Sequence, residues 1–172
     1  MGPVRETVVV AGTVLVVLYA QLMYVVTQIL TPLSTVPGAT LGRIAAVAEA
    51  AGEPVFTPLA VVLPLVGVAL ASAVLVTAIT IPAFDSVWVA FAYLALLAGG
   101  LPVYFALAFG VGMSLGDLGD AFPVLGADSE VWLVLAGVSS VAFCLAVGVG
   151  AGLLARAGAK GVARREASRA IR

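Results

Sequence analysis

Histidine is absent from the 172-residue chain, and cysteine occurs once, at Cys144. Haem ligation by imidazole, a histidine proton relay and most zinc chemistry are therefore closed to it. A lone cysteine cannot form an intrachain disulfide, which excludes thiol–disulfide chemistry within the chain. Charge is the next shortage. Only 10% of residues are ionised, the formal net charge is −1, and no broad basic surface offers itself to nucleic acid. A soluble domain carries about a quarter charged residues.

The few charges are also clumped. No ionised side chain lies between Glu6 and Arg43, Glu53 and Asp85, Asp85 and Asp117, or Glu130 and Arg156, gaps of 36, 31, 31 and 25 residues. About 20 apolar residues cross a bilayer, and 63% of this chain is hydrophobic with a mean hydropathy of +1.22. The composition implies an all-α integral membrane protein, a four-transmembrane-helix bundle. Turn residues trim the gaps to spans at about 7–30, 56–81, 86–113 and 131–154. The first run, from Thr7 to Leu30, exceeds the ~7–15 residues of a cleavable signal core and reads as a retained helix. Strands do not fit, because a membrane barrel needs alternating segments of about 10 residues. Residues 1–156 form one transmembrane domain on this reading, and residues 157–172 a basic cytoplasmic tail that frays from the last helix.

Orientation comes from the basic residues. Cytoplasmic termini place Arg5, Arg156, Lys160, Arg164, Arg165, Arg169 and Arg172 inside and Arg43 alone outside. That distribution points to a cell-membrane protein whose tail meets anionic lipid, at ~1 kcal/mol per residue near the surface. The long loop after the first span should hold a short external interfacial helix. Thr40 caps it, Gly52 and Pro54 end it, and Leu41, Ile44 and Ala48 share a face that could rest on the membrane. Asp85 reads as the cap of the third span. Phe84 and Trp88 mark one interface; Phe56, Phe122 and Trp132 mark the other.

Three patterns are candidates for function. At 100° per residue, Thr13, Gln21, Tyr24, Gln28 and Thr31 fall on one arc of the first span. Amides in hydrocarbon need partners, so this stripe should face other helices or a wet cavity. Tyr104 lies one turn beyond Gly99-Gly100-x-Pro102, which should break the third span; with Gln21, Tyr24 and Gln28 it makes a candidate polar lining. Pro64 should kink the second span. On the fourth span Ser140, Cys144, Gly148 and Gly152 recur every four residues, a groove for close helix approach. Ala108, Gly112 and Gly116 repeat it in short form. Packing within the bundle is the expected use of that seam, ahead of a contact between copies.

The acidic group Asp117, Asp120, Asp128 and Glu130 lacks calcium-loop spacing and reads as a solvated loop. No catalytic, cofactor or metal constellation is visible. The composition favours a non-catalytic accessory or scaffold subunit, in a homo-oligomer or a larger membrane complex. The alternative is a small oligomeric transporter or channel using the glutamine stripe and the broken third span. Its weakness is the absence of any charge expected deep in the membrane.

Overall fold

The computed structural model describes residues 3–53, 55–81, 85–124 and 129–170, with side chains to residue 158. Expectations placed on Pro54, Pro82, Phe84, Asp128 and Arg172, and on the side chains of Lys160, Arg164, Arg165 and Arg169, lie outside that set. Every regular element among the described residues is helical. They are α1 (Pro3–Val25), a π-helical turn (Val26–Leu30), α2 (Thr31–Thr35), α3 (Leu41–Ala51), α4 (Leu59–Thr80), α5 (Ser86–Asp117) and α6 (Trp132–Ala170). Four runs are long and apolar enough to cross a membrane: Pro3–Thr35, Leu59–Thr80, Ser86–Asp117 and Trp132–Gly158.

The first run passes through Pro32 instead of stopping at Leu30. A proline inside a helix removes one N–H and crowds the carbonyl four residues back, here that of Gln28. The chain absorbs this by widening one turn, so that the Thr31 N–H bonds to the Val26 carbonyl, five residues back. α5 likewise runs unbroken through Gly99, Gly100 and Pro102, which corrects the expected break. α6 stays helical to Ala170 rather than fraying after Arg156. The expected caps are in place. Asp85 accepts a hydrogen bond from the Val87 N–H at 3.4 Å, Thr40 accepts one from Arg43, and Gly52 closes α3 in the left-handed region at φ 76°.

α1, α4 and α5 pack mutually, whereas α6 lies mainly along α5. The arrangement is a three-helix triangle with a fourth helix on its flank. The buried stripe of α5 is Val89, Tyr93, Leu97, Gly100, Tyr104, Leu107, Val111 and Leu115, a spacing of three and four residues. Small residues face it: Ala60, Ala71 and Ala78 from α4, and Ser139, Ala142 and Ala146 from α6. Without water between helices to be expelled, close van der Waals approach is what holds them, and small residues permit it.

Two tyrosines fasten the triangle. The Tyr93 ring lies where a Cβ on Gly12 would be, and the Tyr19 ring lies where a Cβ on Gly100 would be. The two pairs are reciprocal: each helix offers one glycine and one tyrosine, seven residues apart. Each hydroxyl then reaches further helices. Tyr93 Oη is 2.7 Å from Thr13 Oγ1 and 3.4 Å from the Ala71 carbonyl, joining α1, α5 and α4. Tyr19 Oη is 2.8 Å from Ser139 Oγ, which donates to the Leu97 carbonyl at 2.8 Å, joining α1, α6 and α5.

At the end opposite the termini a second core gathers Val36, Ile44, Ala48 and Val55 with Val111, Leu115, Leu118 and Phe122. The shared face of α3 thus packs on the protein: Ile44 and Ala48 are buried there and Leu41 is half-buried. The Arg43 guanidinium sits 5.5 Å from the Phe122 ring centroid, a cation–π contact over that core.

Candidate functional site

The polar stripe of the first run is split by the structure. Gln21 and Tyr24 are exposed, whereas Gln28 is buried at 5% exposure, together with Thr27, Thr31 and Thr35. Two causes combine. The arc assumes 100° per residue throughout, and an i→i+5 turn inserts an extra residue that rotates the rest of the run by about 100°. In addition, α3 and α5 cover the α2 end of this run, while Gln21 lies at an open groove beside α4. Gln21 and Gln28 therefore do not share one face: the first is exposed beside α4 and the second is buried. Tyr104, at 2% exposure, is a core residue and lines no passage with the glutamines.

Gln21 and Tyr24 instead sit in a groove between α1 and α4, of about 520 Å³ and open at the side of the bundle. Val17, Ala20 and Val25 complete the α1 wall, and Val61, Pro64, Leu65 and Val68 form the α4 wall. Its floor is Ala20 and Pro64, both buried; its rim includes exposed Val61 and Leu65. The walls are apolar except for one amide and one phenol. No ionised side chain lines it. Such a surface can bind and orient a molecule; it offers no nucleophile paired with a base.

Gln28 presents the opposite situation. Its Nε2 is buried with no hydrogen-bond partner, while Thr27 Oγ1 donates to the Met23 carbonyl at 2.9 Å. A buried donor left unpaired costs ~1–3 kcal/mol. Gln28→Met should accordingly raise thermal stability in detergent, by about 1 kcal/mol after the lost packing is subtracted. A lower melting temperature would show that the amide is paired in solution.

The seam on the fourth span is also re-placed. Ser140, Cys144, Gly148 and Gly152 all lie off the packed face, and a Cβ on either glycine would meet nothing within 4 Å. The face of α6 that packs carries Leu135, Ser139, Ala142 and Ala146. The expected intramolecular seam therefore lies nearly opposite the face that packs, at 100° per residue: small residues recur on both faces, and the tyrosine of α1 selects the one bearing Ser139. Gly112 and Gly116 on α5 are exposed in the same way.

Asp117, Asp120 and Glu130 are exposed, and no three metal-ligating side chains converge among the described residues. Sequence reasoning missed Tyr19, Tyr93, Ser139 and the role of Arg5. The signal for the tyrosines was present, since Gly12 and Tyr19 share the seven-residue spacing of Tyr93 and Gly100. No protein-family model, curated protein or solved structure matches the chain.

Proposed function

We propose that this chain is a non-catalytic accessory or scaffold subunit of the cell membrane that associates, through the outer face of α6, with a second copy or with other membrane helices. The observation that carries this reading is the asymmetry of α6. One face packs on α5, and the opposite one turns Ser140, Cys144, Gly148 and Gly152 away from the bundle. Beside these small residues, another helix gains a close backbone approach that lipid chains do not need. The transporter reading is the weaker one: α5 is unbroken, and Gln21 is exposed where Gln28 is buried. Both termini are read as cytoplasmic from the seven-to-one distribution of basic residues, and the basic tail as a contact for anionic lipid.

Gly148→Leu and Gly152→Leu test it. Each should shrink the particle in sizing chromatography, more so on dilution, while leaving the monomer's unfolding free energy within about 0.5 kcal/mol of wild type. Leu154→Phe, exposed and about 120° or more around the helix from both glycines, should change neither. Identical sizes for all three variants and the parent would leave the face covered by lipid alone, and the scaffold reading would lose its basis.

A further inference from the structure

We propose that the groove between α1 and α4 is a binding site for a single-chain amphipathic molecule with an uncharged hydrogen-bonding head. The argument begins with register. Arg5 near the start of α1 donates to the carbonyls of Ala78 and Ile81 at the end of α4, so the two helices run antiparallel. Pro64 and Leu65 lie about 8–9 Å along α4 from Leu59, and Val68 about 14 Å, at 1.5 Å per residue. The polar pair thus sits near the interface at the Leu59 end, and the apolar stretch at Val17 and Val68 runs toward the bilayer centre. That polarity matches an amphipath standing as a lipid stands.

The chemistry narrows the head. Gln21 and Tyr24 are exposed within the groove, and no hydrogen bond from either side chain to the protein is present among the described residues. An amide and a phenol left bare in hydrocarbon are costly, and each can both donate and accept. An ester carbonyl or a hydroxyl satisfies them. A charged head would lose its hydration beside them without gaining an opposite charge. The size narrows the tail. About 520 Å³ falls within the range of small-molecule sites. The floor at Ala20 and Pro64 is open to a methylene chain, which is far narrower than a helix of ~10–12 Å. This site is independent of the α6 face, and either can fail without the other.

The test uses the full chain in uncharged detergent micelles, with a monoacylglycerol carrying a diazirine in its acyl chain as the probe. Photolabelling should be saturable, should be competed by unlabelled monoacylglycerol, and should map to residues 17–25 and 61–68. The double variant Gln21→Leu with Tyr24→Phe should lower that labelling about tenfold while keeping the wild-type melting temperature, because both side chains are exposed. A probe with the same chain and a phosphate head should label the groove no better than the double variant does. Equal labelling of wild type and double variant overturns the proposal, as does labelling of the exposed Phe105 and Phe109 face to the same extent. Gln21→Cys in a Cys144→Ser background provides the remaining outcome. Efficient disulfide-linked dimers in membranes would make a second copy the occupant and overturn it too.

Discussion

A single methyl group added at Gly100 should destabilise the protein by about 2–4 kcal/mol, while the same change at the adjacent Gly99 should be neutral or stabilising. The Gly100 Cβ would occupy the space of the Tyr19 ring; a Cβ on Gly99 meets nothing within 4 Å. Overpacking of this kind costs ~1–3 kcal/mol. It carries a second loss here, because a displaced Tyr19 gives up its bond to Ser139 Oγ, and such interhelical bonds contribute ~0.6 and up to ~1.7 kcal/mol. Gly99→Ala keeps only the helix-propensity gain of up to ~1 kcal/mol. Thermal unfolding in detergent reads both. Tyr19→Phe in the Gly100→Ala background should then cost little more, since the hydroxyl has already lost its partner. Equal effects at the two glycines would mean that the ring does not depend on Gly100.

Arg5→Met should produce the second large loss, about 2 kcal/mol, with the opening concentrated at the end of α4. The last carbonyls of a helix have no partner within it. Arg5 supplies one across more than seventy residues: its Nη2 donates to the Ala78 carbonyl and, at 2.7 Å, to that of Ile81. The positive guanidinium also opposes the negative end of the helix dipole. Methionine keeps much of the stem's packing and removes both bonds, each charge-assisted and worth ~1.5–3 kcal/mol before interfacial water compensates. Arg5→Lys should recover part of the loss, because an ammonium satisfies one carbonyl well but lacks the guanidinium's fork. Hydrogen exchange of residues 76–81 gives the local reading. Unchanged protection there with a lower overall melting temperature would place the role of Arg5 elsewhere.

The spans were legible because charge is so rare in this chain that its absence alone outlines them. Their ends were less so. A stop at Leu30 assumes that a proline terminates a helix, and the Thr31 N–H, by reaching back to Val26, carries the helix on to Thr35. The polar stripe fails for a related reason. An arc drawn on an ideal helix cannot register a widened turn, nor can it register that α5 packs on the turn carrying Gln28 while Gln21 stays exposed in the groove beside α4. On α6 the choice between Ser139 and Ser140 could not be made from that helix. Both begin a run of small residues, and only the Tyr19 hydroxyl, from the other end of the chain, distinguishes them. The caps at Asp85, Thr40 and Gly52 were readable because a cap is decided within four residues of sequence.

The reciprocal glycine–tyrosine pairing also dictates an order of assembly. α1 and α5 run parallel, so a helix must cross back between them before they can meet; α4 is that helix. During synthesis α1 enters the membrane with the hydroxyls of Thr13 and Tyr19 facing no partner helix, and α4 can join it first, through Arg5. Only when α5 has been inserted can Tyr93 close over Gly12 and Tyr19 over Gly100. Ser139 arrives last, with α6, and completes a hydrogen-bond chain whose first member was made more than a hundred residues earlier. Until then the Tyr19 hydroxyl lacks its α6 partner, so the network that joins α1, α5 and α6 cannot be complete before the last helix is present.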